Sequence, residues 1–115
     1  MIEVKPIINY EEFSKIDIRV GTILSAEKIE KSEKLIRMEV DFGLLGKRQI
    51  LAGISQWYDP KELIGKQTTF VLNLQPRTMM GLESQGMLFA IGLEEGSKPV
   101  LIQMSKEVEN GDGAR

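Results

Sequence analysis

From Leu35 to Phe42 the chain reads LIRMEVDF, and apolar residues take every second position: Ile36, Met38, Val40 and Phe42. Arg37, Glu39 and Asp41 fill the positions between them. A period of two puts alternate side chains on opposite faces of an extended chain, so this segment is a strand with one face in a core and the other in water. The same period starts at Ile16, where Ile16, Ile18 and Val20 alternate with Asp17, Arg19 and Gly21 and the strand runs toward Ala26. Gly21 inside that run predicts a bulge or a sharp bend. QILAGIS (49–55), QTTFVLNL (67–74), GMLFAIGL (86–93) and PVLIQM (99–104) read as further strands.

Only two short segments read as helix. In NYEEFSKI (9–16), Asn9 is the N-cap, Glu12 completes a capping box, and Tyr10, Phe13 and Ile16 recur every third position. This helix is expected to plug one end of a barrel. In YDPKELIGK (58–66), Asp59 is the N-cap, Pro60 opens the helix, Glu62 is the capping-box partner and Gly65 the stop. Helix, three strands, short helix and further strands within 115 residues predict an all-β chain, a five-stranded OB-fold barrel with short helices. An SH3-like barrel is the nearest competitor and less often carries a helix at that place. The expected organisation is one domain over 1–115, with the barrel at about 14–93 and a β extension over 94–115.

Cysteine and histidine are both absent, which removes disulfides, the usual nitrogen and sulfur metal sites, and His-dependent nucleophilic triads. Asp17, Asp41, Asp59 and Tyr58 remain as acid–base candidates. Asp59 reads better as an N-cap, Asp41 points outward on a strand, and Asp17 is expected to pair with Arg19 at the barrel entrance. The expectation is a protein that is not an enzyme and uses no cofactor or metal. No apolar run approaches a membrane span and the N-terminus lacks a signal-peptide pattern, so a cytoplasmic location without membrane contact is expected. The net charge of −2 and pI of about 5.3 argue against a general nucleic-acid binder. Basic residues nevertheless gather at Lys28, Lys31, Lys34 and Arg37, and again at Lys47 and Arg48. Glu27, Glu30, Glu33 and Glu39 interleave with the first group, which is then either a solvated face or, with the Lys47–Arg48 turn on the same side, part of one positive patch.

Three blocks of sequence make a more specific statement. FSKIDIRVGTI, then SEKLIRMEVDFG with RQILAGI, then NLQPRTMMGLESQGML follow one another between residues 13 and 93. Together they resemble the tRNA-binding domain found at the C-terminus of methionyl-tRNA synthetase, which also occurs as a free-standing dimeric tRNA-binding protein. The resemblance implies an OB-fold that reads tRNA by shape at the outer corner of the L. It implies tRNA as partner, a methionyl-tRNA synthetase to which tRNA is delivered, and a homodimer built from the N-terminal segment and the strands after the barrel. The tRNA-binding residues it suggests are Lys34, Asn73, Arg77, Ser84, Gln85 and Met87, and the second basic group adds Lys47 and Arg48 as candidates. Asn73 offers an amide to a base or sugar edge, Ser84 and Gln85 short polar contacts, and Met87 a soft apolar surface. A structural reading stands beside this one: a barrel corner with Ser84 capping a turn and Met87 and Gly86 in the core. Gln75, Thr78 and Met80 stand where many family members carry Lys or Arg, so a weaker, less salt-sensitive binder is expected. DFGLLGKRQ and YDPKELIGKQ also resemble a dimeric bacterial export chaperone of the same fold, which binds unfolded or pre-secretory polypeptide. That is the alternative function.

Overall fold

The computed structural model describes residues 3–92 and 96–115. Its centre is a curled antiparallel sheet of five strands in the order β3-β2-β1-β4-β7. The strands are β1 (Ile18–Lys28), β2 (Ile36–Asp41), β3 (Lys47–Ala52), β4 (Gln67–Val71) and β7 (Met87–Leu88). Ile36, Met38, Val40 and Phe42 are all fully buried, as the period of two requires, while Glu39 is exposed. Arg37 lies opposite Glu27 in the β1–β2 register and pairs with it.

β1 is long enough to serve two neighbours. Residues 18–22 pair with β4, and residues 22–28 pair with β2. The register shifts between Ile23 and Ser25. A bulge of this kind bends the strand and turns a flat sheet toward closure. Gly21 is not the bulge. A Cβ there would lie 2.6 Å from Val40 Cγ1 and 2.7 Å from Phe42 Cε1, so glycine lets Phe42 pack directly on the β1 backbone. Phe42 in turn meets Phe70 edge-to-face, with centroids 5.4 Å apart.

Two helices were expected and two form, with different roles. α1 (Tyr10–Ser14) has the Asn9–Glu12 capping box, yet it buries no residue, and Tyr10 is 78% exposed. It does not plug the barrel. That place is filled by α2 (Pro60–Leu63), whose Leu63 is fully buried and whose Asp59–Glu62 capping box fixes its start. The chain leaving α2 continues the edge of β1: Gly65 N–H donates to the Ile23 carbonyl, and Ile23 N–H to the Lys66 carbonyl.

The expected strand at 99–104 is reduced to one bridge, Val100 with Ile91. The expected barrel end, at residues 93 and 94, lies outside the described residues. From Ile102 onward the chain forms an extended strap over its own barrel. Ile102 accepts from buried Thr68, Val108 exchanges hydrogen bonds with Gln67, and residues 111–114 bond to the backbone of Ile18 and Val20. The strap covers the part of β1 that β2 leaves unpaired.

Candidate nucleic-acid interface

The stretch from Asn73 to Leu88 closes the barrel. It holds a hairpin that periodicity alone did not reveal, β5 (Arg77–Met79) and β6 (Leu82–Ser84), joined by Met80 and Gly81 at φ 52° and 76°. The returning limb docks on the outer edge of β3. Gln85 N–H donates to the Gln49 carbonyl at 2.8 Å, and Gln49 N–H donates to Gln85 Oε1 at 2.9 Å. Ser84 Oγ accepts from Leu51 N–H at 3.0 Å and donates to the Gly86 carbonyl at 2.9 Å. Side-chain oxygens thus take the place of the ladder carbonyls that β3 would otherwise lack.

Several of the residues singled out in the sequence are built into this closure. Ser84 is 3% exposed and its hydroxyl is used twice within the fold. Arg48 donates from Nη1 to the carbonyls of Leu72 and Gln85, tying the end of β4 to the β6–β7 link. Asn73 accepts from Asp17 N–H and donates to the Lys15 carbonyl, fastening the start of β1. Gly86 lies where a Cβ would stand 3.0 Å from the Val71 carbonyl and 3.3 Å from Ile50 Cδ1, so its close approach is to the barrel wall.

Lys34, Lys47, Arg77 and Met87 are exposed, Met87 by 45%. They do not form one patch. Lys34 lies in the loop before Ile36, whereas Lys47 opens β3 opposite Asp41, at the other end of β2. Five strand steps separate those ends, about 16 Å. Lys34 and Lys47 therefore stand at opposite ends of β2.

Arg77 and Met87 do come together. They line a groove of about 450 Å³ whose walls include Leu35 from the β1–β2 loop, Leu51 of β3, Trp57 and Met79. The groove lies between the first loop and the β4–β7 connection, the position at which OB-folds hold oligonucleotides and oligosaccharides. Arg77 is the only charged side chain among its described lining residues. Trp57 and Met79 carry no periodic signal. The one available clue is that Trp57 is the only tryptophan of the chain and sits in the loop that follows β3.

The acid–base candidates are all engaged structurally. Asp17 Oδ1 is 2.6 Å from Arg19 Nε, Asp41 accepts from Gly43 N–H, and Asp59 accepts from Lys61 N–H. Tyr58 is buried and donates its hydroxyl to the Pro99 carbonyl. Among the described residues no cluster of acidic side chains could hold a metal ion. No helix among them is long and apolar enough to cross a membrane.

A small OB-type barrel with a groove lined in part by Arg77 and Trp57 has the architecture of a binding module. The family model described as "Putative tRNA binding domain" matches residues 18–113, and the chain belongs to that family. The methionine–tRNA ligase of Methanothrix thermoacetophila is 46% identical over 114 residues, which is 99% of this chain and 16% of that protein. The chain thus spans about one-sixth of the curated relatives it matches. Among solved structures, the MetRS related protein from Pyrococcus horikoshii superposes with a TM-score of 0.88 at 40% identity, covering 96% of this chain and all (100%) of that one. The chaperone CsaA from Bacillus anthracis superposes with a TM-score of 0.85 at 35% identity, with 96% and 100% coverage.

Proposed function

We propose that this chain is a non-catalytic tRNA-binding domain that reads tRNA by shape and raises its local concentration for methionyl-tRNA synthetase. The observation that carries this reading is the groove uniting Arg77 and Met87 on the oligonucleotide face of the barrel. Membership in a tRNA-binding family and the likeness to methionine–tRNA ligases support the choice of partner. Within the set Lys34, Lys47, Arg48, Asn73, Arg77, Ser84, Gln85 and Met87, the roles divide. Arg77, Met87 and Lys34 present themselves to RNA. Arg48, Asn73, Ser84 and Gln85 hold the surface that presents them. Lys47, at the start of β3 beside the far end of β2, is a peripheral phosphate contact.

With few cations in place, affinity comes from a small number of phosphate contacts. Two copies on one assembly would multiply them, and a homodimer is part of this proposal. Filter binding of total tRNA at three salt concentrations, with linear single-stranded RNA as competitor, tests the reading. Saturable binding that falls with salt and resists the competitor supports it. Absence of binding at low salt discards it. A second reading, capture of unfolded polypeptide, is favoured by the 35% identity to the chaperone structure and by the uncovered apolar segment before β1. Suppression of aggregation of an unfolded client, without tRNA binding, would select that reading.

A further inference from the structure

Recognition of tRNA by shape needs phosphate contacts; it does not need a tryptophan. The groove nevertheless has one. The Trp57 side chain packs in part on the hydrophobic core, its backbone N–H donates to the Ile54 carbonyl, and the side chain also lines the groove. Met79 and Met87 contribute polarizable thioethers to the same groove, and Arg77 stands at it as the one cation. We propose that Trp57 is the stacking platform for a single unpaired nucleobase of the bound RNA, with Met79 and Met87 beside that base and Arg77 on an adjoining phosphate.

The inference rests on the tRNA-binding reading and makes it specific. An indole fixed by its own packing offers a π face at little ordering cost, and stacking on it tolerates any base. That tolerance suits a domain that reads shape. The groove volume of about 450 Å³ is in the range of sites that bury a small organic ring system. Charge complementarity points the same way. Among its described lining residues none is acidic and Arg77 is the one charged side chain. An anionic ligand with a planar ring satisfies both halves of the site.

Because Trp57 is the only tryptophan, its fluorescence reports on this groove alone. The experiment titrates the full chain with unfractionated tRNA, following tryptophan emission and its quenching by iodide, alongside filter binding of the same samples. The expected result is saturating quenching by tRNA and protection from iodide, with a midpoint equal to the filter-binding Kd. Trp57→Leu should weaken tRNA binding roughly 10- to 100-fold, the usual cost of losing one stacked base, without changing the salt slope. Trp57→Phe should recover most of the loss. Trp57 also packs on the core, so Trp57→Leu is scored only against an unfolding curve; the wild-type titration needs no variant. If tRNA is retained on the filter while emission and iodide access stay unchanged, the stacking proposal is overturned and the tRNA reading stands. If the filter retains no tRNA at low salt, the tRNA reading itself has failed and the stacking inference falls with it.

Discussion

Arg48 and Arg77 carry the same charge and stand in different relations to the fold. The guanidinium of Arg48 is spent on two carbonyls at the barrel seam, while Arg77 stands exposed at the groove. Substitution should separate the two duties. Arg48→Met removes hydrogen bonds from a charged donor and should cost about 1.5–3 kcal/mol of stability, read as a lower urea midpoint. The tRNA salt slope should keep its value. Arg77→Met should leave the urea midpoint in place and lower the salt slope by about 0.7–0.9. The opposite pattern would show that the two arginines have been assigned the wrong way round. Ser84 belongs with Arg48. Ser84→Ala strands the Leu51 N–H in a buried seam, for a loss of about 1–3 kcal/mol in unfolding experiments. Any fall in tRNA affinity should then follow the loss of structure, while the salt slope holds.

At the scale of elements, the hairpin between Pro76 and Gly86 was the part least legible in the sequence. Its two-residue loop places Met80 at φ 52°, a region that disfavours ordinary side chains and that Asn enters more readily. Neither Met-Gly nor the three-residue strands around it carry a usual hairpin signature, so the segment reads as a barrel corner rather than as two paired strands. Met80→Asn should relieve the strain and raise stability by about 1 kcal/mol, measurable as a higher melting temperature. An unchanged or lower melting temperature would mean that the Met80 side chain contributes packing that offsets its backbone. The period-two strands were legible because burial enforces them: Ile36, Met38, Val40 and Phe42 cannot slip by one residue without exposing all four. Both capping boxes were legible for the same local reason. What period and capping do not encode is which helix meets the core. Tyr10, Phe13 and Ile16 have the spacing of a buried face, but Leu63 fills the barrel and leaves them outside. The candidate site divides in the same way. Arg77 and Met87 were legible through motif resemblance, whereas Trp57 reaches the groove through tertiary folding and shows in the sequence only as the single tryptophan.

At the scale of the whole molecule, the apolar residues before β1 remain to be accounted for. Val4 is 97% exposed and Ile7 98%, and Tyr10 and Phe13 extend the same uncovered surface. A five-residue helix does not hold itself together in water, and neighbouring apolar side chains of this number seek cover. The strap over 108–114 has its backbone bonds on its own barrel, and the N-terminal segment offers an exposed apolar surface to a second copy. The proposed homodimer is built there. Sedimentation of the full chain should show a dimer, and Tyr10→Glu combined with Phe13→Glu should give a monomer. Because neither side chain is buried in the single chain, the melting of the barrel monitored at Trp57 should change little apart from the loss of dimer linkage. The effect on tRNA tells more. Each copy brings its own Arg77, so a dimer that engages one tRNA with both grooves releases counterions from both, and the salt slope of the monomeric variant should fall to about half. A monomeric variant with an undiminished slope would mean that one copy makes all the contacts and the second serves another purpose. A wild-type chain that sediments as a monomer would remove the dimer from the proposal and leave the single groove as the whole of the RNA-binding surface.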